Sequence, residues 1–376
     1  MKEPEFTIGI EEEYHLVDLE TRDLAKDPPQ ALMKACTTQI GERVTGEFLR
    51  SQIEVGTRVC KTARQAGEEL KELRGAIAEV ASSFGIAPMA ASTHPFARWK
   101  EQSPTDKERS QELAHDMQAI ARRLLICGMH VHVGIPDDDL RIDILNQARY
   151  FLPHILALSS SSPFWQGADT GLRCYRLSVF DQLPRSGMPD QIENWAAYQR
   201  TINVLIATGT IEDTSKIWWD LRPHGTYPTI EMRICDVCTT RQDGVALAAL
   251  FACLCRMLYR LRINNQRWRM YDTFLLNENR WRAQRYGWSA GLIDFGRGAV
   301  VPFEDLIEEI FELVGDDAEA LDCVGEVAHL RTILQRGTSA ERQLQWADAA
   351  RAEGADDREV LSWVVDKLIA ETQAEA

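Results

Sequence analysis

Glu11, Glu12 and Glu13 lie in the middle of Gly9-Ile10-Glu11-Glu12-Glu13-Tyr14-His15-Leu16-Val17-Asp18, a stretch that otherwise has the composition of a buried β-strand. Successive side chains on a strand face opposite ways. Phe6, Ile8, Ile10, Tyr14 and Leu16 therefore share an apolar face, and Thr7, Gly9, Glu11, Glu13 and His15 share the other. Glu12 is the exception, a carboxylate on the apolar side, where an arginine partner at the sheet's edge is expected. Glu11 and Glu13 are attached roughly 7 Å apart, and at an effective dielectric of about 20 their repulsion is on the order of 2 kcal/mol. Such a strand needs a cation near its acids.

The same irregularity recurs in three other strand-like segments. In Cys127-Gly128-Met129-His130-Val131-His132-Val133-Gly134-Ile135, the odd-numbered residues are apolar and His130 and His132 share the other face with two glycines, which leave room for a ligand. In Ser51-Gln52-Ile53-Glu54-Val55-Gly56, Glu54 projects away from Ile53 and Val55. In Thr229-Ile230-Glu231-Met232-Arg233-Ile234-Cys235, Glu231 and Arg233 oppose Ile230, Met232 and Ile234. Singly, each has a plain reading: a solvated sheet face, a histidine pair in a core, an ion pair along one strand. Together they describe one sheet with an apolar face against helices and a second face that forms a metal-lined floor. Carboxylates outnumber histidines, which favours Mg²⁺ or Mn²⁺, two or more ions, over zinc.

At 376 residues, with 45% hydrophobic content, the chain is long enough for one large enzyme domain. The net charge of −15, with no basic block, argues against nucleic acid as a partner. Val245–Cys255, the longest apolar run, is about half a bilayer span, and the N-terminus is acidic without an apolar signal core, so a cytoplasmic protein with no membrane partner is expected. The nine cysteines, scattered through apolar segments, suggest reduced core thiols, including the lone Cys235-x-x-Cys238.

Helices are expected over 63–84, 104–126 and 139–158, the last bent at Pro153, and strands over 52–59, 127–135, 217–222 and 228–236. Beyond about residue 240 the pattern is helical, over 245–262, 302–314, 318–334, 339–352 and 358–371, with no strong strand. The expected organisation is a single catalytic domain, 1–376, with a sheet-bearing portion (1–240) and a mainly helical flank (241–376).

GIEEEYHLVD, SQIEVGT, STHPFARW, GMHVHVGIPD, LPRSGMP and WDLRPHGTYPTIEMRICD occur in that order over roughly residues 6 to 240. In these motifs the chain resembles the bacterial carboxylate–amine ligases of the glutamate–cysteine ligase type 2 group, relatives of glutamine synthetase. The resemblance implies an α+β fold with a curved, mainly antiparallel sheet, helices packed on one face, and an open face for metal and ATP. It implies an acyl phosphate made from a glutamate-type carboxylate and ATP, then joined to an amine such as cysteine. Glu11, His130 and Glu231 would hold one metal; Glu13 and Glu54, with Glu47, a second. Arg233 would contact the transferred phosphoryl group, so that Arg233, Glu13 and Glu54 carry the catalysis. Arg222, Arg173 and Arg176 would meet substrate carboxylate or phosphate, and His132 and His94 would line the pocket.

The segments Arg173-Cys174-Tyr175-Arg176 and Leu177–Asp181 depart from the forms expected in such a family, in a region expected to shape the acceptor pocket. No GxxxxGK[ST] phosphate loop is present, in keeping with metals and arginines holding ATP on an open sheet. Three alternatives stay open at this point: a guanidino kinase, a metal-dependent amidohydrolase and a catalytically silent nucleotide- or amino-acid-binding protein. Homodimerisation is also left open.

Overall fold

A computed structural model describes residues 2–105 and 117–374. Of the helix expected over 104–126, residues 106–116 lie outside the described residues, and the described remainder forms only a short helical turn, Ala121–Arg123. The sheet consists of β1 (Ile8–Asp18), β2 (Val44–Gly46), β3 (Gln52–Gly56), β4 (Ile86–Met89), β5 (Met129–Gly134), β6 (Leu221–Pro223) and β7 (Thr229–Met232). Its order is β6-β7-β5-β1-β3-β2, with β4 pairing the C-terminal half of β1, and every pairing is antiparallel. The fold is thus mixed α/β around an antiparallel sheet, with β1 in the middle.

The apolar residues of β1, β3, β5 and β7 form one continuous core with α1 (Ala63–Ser82) and α2 (Arg241–Ile263). α1 begins where the Thr62 hydroxyl accepts from the Gln65 N–H, a side-chain cap for an otherwise unpaired donor. α2 is the one described helix long and apolar enough to cross a membrane, but 83% of its apolar window is buried inside the fold. It is the helix on which the sheet rests, so the helical part shares the core of the sheet-bearing part.

Several expectations need correction. The run 217–222 is not one strand: Trp218–Trp219 pairs in parallel with Ser186–Gly187, and only Leu221–Pro223 joins the main sheet. The break falls at Asp220, whose buried carboxylate is held by Arg280 of α3 (Thr273–Tyr286). The helix expected over 318–334 is split into Val324–Ala328 and Leu330–Arg336, after Asp322 leaves helical geometry with φ +50°. A hairpin of two three-residue strands, Leu292–Asp294 and Ala299–Val301, occurs where no strand is expected, each strand being too short to show alternation. The bend near Pro153 takes the form of a tight turn, Arg149–Phe151, between Asp138–Ala148 and Leu152–Ser159.

Candidate functional site

The pairing register sets the polar residues of the four strands side by side. Glu11 lies opposite His130 on one side and Gly56 on the other, Glu13 lies opposite Glu54, and Glu231 lies between His132 and Arg222. Because a one-residue slip would turn every side chain to the other face, these pairings place all of them on one floor.

Glu11 is central. Its Oε2 is 3.1 Å from His130 Nδ1 and its Oε1 is 3.3 Å from His132 Nε2. Burial works to raise its pKa, but the two imidazoles hold the carboxyl well below the usual carboxylate range. His130 itself is pulled down to about 4 by burial and by the charge of Arg233. At neutral pH the pair is a carboxylate beside a neutral imidazole. Glu231 is clasped by two arginines: Arg222 Nε reaches its Oε2 at 2.8 Å, and Arg233 bonds its Oε1. Against the effect of burial, these cations keep Glu231 charged.

Among the described residues, the other half of the floor lacks such partners. Glu13 is pushed up to about 8 by burial and by the Glu47 carboxylate, against the pull of Arg176 and of the Gly128 N–H, which donates to its Oε2 at 2.6 Å. Glu54 is driven well above its ordinary value by burial and by Glu47, Glu11 and Glu13. Ligand atoms fall within 4.8 Å of one another in three sets: Glu11, Glu54 and His130; Glu11, His132 and Glu231; and Glu13, Glu47 and Glu54. This differs from the expected grouping, since His132, taken as a pocket residue, and not His130, joins Glu231, directly opposite it across β5 and β7.

The set of Glu13, Glu47 and Glu54 fits a hard divalent cation: three oxygen donors converge, and among the described residues no arginine or lysine forms an ion pair with them, Arg176 and Arg233 acting on Glu13 only at longer range. The Nε2 of His132, 3.3 Å from Glu11 Oε1 but without a well-aligned hydrogen bond among the described residues, is a further candidate ligand atom beside Glu11. Glu231 fits less simply, because Arg222 and Arg233 already satisfy it.

Of the remaining arginines, Arg176 lines the floor cavity and donates to the carbonyls of Arg233 and Ile234. Its path explains Gly128: a Cβ there would collide with the Arg176 guanidinium. The gap beside the histidines is filled by the protein's own arginine, and that at Gly134 by the Thr7 hydroxyl, so neither glycine leaves the expected room for a ligand. Arg222 also reaches the floor cavity, but its donors go to Glu231 and to the Ile217 and Ser215 carbonyls, which makes it a residue that positions Glu231. The structure does not bring Arg173 or His94 to the floor. Arg173 lies 3.4 Å from Glu341, and His94 is a buried turn residue whose Nδ1 accepts from the N–H groups of Phe96 and Ala97. His94 is pulled down to about 3, chiefly by burial.

Two cavities share Glu11. One, about 380 Å³, lies over Glu13, Glu47, Glu54, His130, Arg176 and Arg233. The second, about 720 Å³, is lined by Gly9, Gly56, Thr57, His132, Tyr227 and Pro228. Sequence patterning missed His224, whose ring lies edge-on to His132 at 5.2 Å and is stacked on Tyr227 at 4.8 Å. It occupies a loop, where no periodicity marks a ring. Glu12, on the opposite face, is bound by Arg74 from α1 through two bonds of 2.9 and 2.8 Å, inside the core and not at the sheet's edge.

Solved structures show the fold: it matches that of a glutamate–cysteine ligase from Francisella tularensis in complex with AMP (TM-score 0.70, 14% identity, covering 100% of this chain and 90% of that one). A bifunctional glutathione synthetase from Pasteurella multocida matches equally (TM-score 0.70, 13% identity, 98% of this chain and 52% of that one). The particular family comes from sequence. The model of glutamate–cysteine ligase family 2 matches residues 7–362, and the chain belongs to that family. Relatives called putative glutamate–cysteine ligase 2 are 58% identical in Rhodospirillum rubrum (100% of this chain, 97% of that one) and 55% identical in Jannaschia sp. (97% and 96%).

Proposed function

We propose that the protein is an ATP-dependent carboxylate–amine ligase, which activates a glutamate-type carboxylate as an acyl phosphate and joins it to an amine such as cysteine. The observation that carries this reading, within the family, is the position of Glu11 between two chemically different cavities. The larger, with Thr57, Tyr227 and Pro228, takes the nucleotide; the smaller, with its acids and arginines, takes the carboxylate and the amine. The γ-phosphate then lies over Glu11, between them.

A carboxylate oxygen attacks the γ-phosphorus, the bond to the β-phosphate oxygen breaks, and ADP leaves. The amine nitrogen then attacks the acyl carbon. The C–N bond forms, the C–O bond breaks with its electron pair on phosphate, and the surplus proton of the amine leaves on that phosphate. Arg233 faces the transferred group and stabilises its charge, while Arg222 fixes Glu231 and Arg176 holds a substrate carboxylate. Mg²⁺ or Mn²⁺ held by Glu13, Glu47 and Glu54, and beside Glu11 by the histidines, would supply charge neutralisation for phosphate and carboxylate oxygens.

The test incubates purified protein with ATP, Mg²⁺ or Mn²⁺, glutamate and a panel of amines, following ADP, phosphate and product mass. Amine-dependent ADP release with equimolar amide is expected. Hydrolysis of an amide without ATP, or a phosphorylated guanidine, would refute the proposal.

A further inference from the structure

The floor cavity has two unlike linings. Opposed in character to the acids and arginines is an apolar wall of Ile126, Phe180, Leu183 and Trp218, with Leu124 beside them. These residues form their own small cluster, separate from the main core, so the wall is a built feature of the site and not an exposed part of the sheet's packing. Ile126, Phe180 and Trp218 each keep 8% of their surface exposed, and Leu183 4%. Each of the two rings has a cation over its face: the Arg176 guanidinium lies 5.2 Å from the Phe180 centroid, and that of Arg185 lies 5.4 Å from the Trp218 centroid. Arg176 therefore stands at the border between the charged floor and the apolar wall.

Neither substrate of a glutamate-plus-cysteine reaction uses such a wall well. Glutamate brings two ionised groups besides the carboxylate that is activated, and the cysteine side chain is one methylene and a thiol. We infer that the acceptor is a primary amine carrying a branched aliphatic or aromatic group larger than the cysteine side chain, seated against Ile126, Phe180, Leu183 and Trp218. This rests on the ligase reading of the same cavity. The bond changes are those of amide formation given above, and the wall acts by placing the amine nitrogen over the acyl carbon while keeping water from it.

The experiment compares kcat/KM for cysteine, glycine, leucine, phenylalanine, isopentylamine and phenethylamine, with ATP, Mg²⁺ and glutamate fixed, by ADP release and amide mass. At least one of the four apolar acceptors should exceed cysteine by about tenfold or more, the scale on which an apolar pocket separates ligands differing by a methylene or so. The amino-acid and simple-amine arms distinguish an acceptor with a carboxylate from one without. Leu183→Ala and Trp218→Ala, each checked for an unchanged circular dichroism spectrum, should narrow the ratio to cysteine several-fold. Cysteine or glycine ligated as well as every apolar acceptor would overturn the inference and leave the ligase reading standing. Absence of amide from every acceptor would overturn both.

Discussion

Glu12 and Glu13 are neighbours in the chain, yet the protein treats their carboxylates in opposite ways. Glu12 faces the core, where Arg74 grips both its oxygens, the Tyr14 hydroxyl donates to it, and the Cys238 and Thr239 carbonyls take the remaining Arg74 donors. Every nitrogen of the guanidinium and both oxygens of the carboxylate have a partner, and no ligand is needed. Glu13 faces the floor beside Glu47 and Glu54, where burial and like charge leave protons bound that would ordinarily be lost. One position supplies its counter-charge from within the fold; the other leaves that charge to be supplied by what binds. The contrast runs across the floor as well, since Glu231 is closed by two arginines while the set around Glu13 is not.

If that contrast is correct, removing charge on the two faces has opposite consequences. Glu13→Gln and Arg233→Ala should each lower turnover by about 1000-fold or more, equivalent to about 4 kcal/mol in the transition state, with the fold intact by circular dichroism. Near-normal turnover in either variant would remove the residue from its role. In the metal-free protein Glu13→Gln should leave stability unchanged or raise it, because it relieves a crowded carboxylate. Glu12→Gln leaves Arg74 charged and buried with half its partner lost, so it should cost about 3 kcal/mol in urea unfolding. Equal stability for Glu12→Gln and Glu13→Gln would break the comparison outright.

The sequence made one side of this contrast legible and hid the other. Strand alternation has an invariant period of two, so the shared face of Glu11 and Glu13, of His130 and His132, and of Glu231 and Arg233 follows from spacing alone. The partner of Glu12 does not, since Arg74 is 62 residues away and meets it through tertiary packing. A signal existed: Arg74 falls among Leu70, Leu73 and Ile77 on the apolar face of its helix, as Glu12 falls on the apolar face of its strand. Two opposite charges misplaced toward the same core are a pair. Arg176 was readable as a candidate but its neighbour Gly128 was misread, because a missing side chain shows that space is needed without showing what fills it. The apolar wall comes from three separate short pieces, around 124–126, 180–183 and 218, where no periodicity operates.

The open side should respond to metal and the closed side should not. At saturating Mg²⁺ or Mn²⁺, about 100 times Kd, the folded protein gains about 2.7 kcal/mol, read as a rise in melting temperature. Glu54→Gln should lose most of that gain, while a conservative change behind the sheet should keep it. Binding should strengthen as pH rises toward and through about 8, where Glu13 releases its proton, and calorimetry in buffers of different ionisation enthalpy should show proton release. Metal stabilisation that is independent of pH from 6 to 9 and intact in Glu54→Gln would place the ion elsewhere.

The smallest effect separates two histidines that burial depresses alike. His130 on the floor and His154 in the core are both pulled down to about 4. For either, the unfolded chain takes up a proton near pH 6.5 and the folded protein does not until about 4. Its contribution to stability is therefore complete above about 6.5 and is lost as pH falls toward 4, by at most about 1.4 kcal/mol per pH unit for each ring. His154 is packed among Tyr150, Phe151 and Phe303, its Nδ1 without a side-chain partner. His154→Phe should thus flatten part of the acid limb in urea unfolding, equally with and without Mg²⁺. The part that survives this substitution and shifts with metal belongs to the floor, where His130 lies against Glu11 within reach of the ion. An acid limb unchanged in His154→Phe would mean that the closed core tolerates a protonated histidine, and the distinction between closed and open faces would not extend to them.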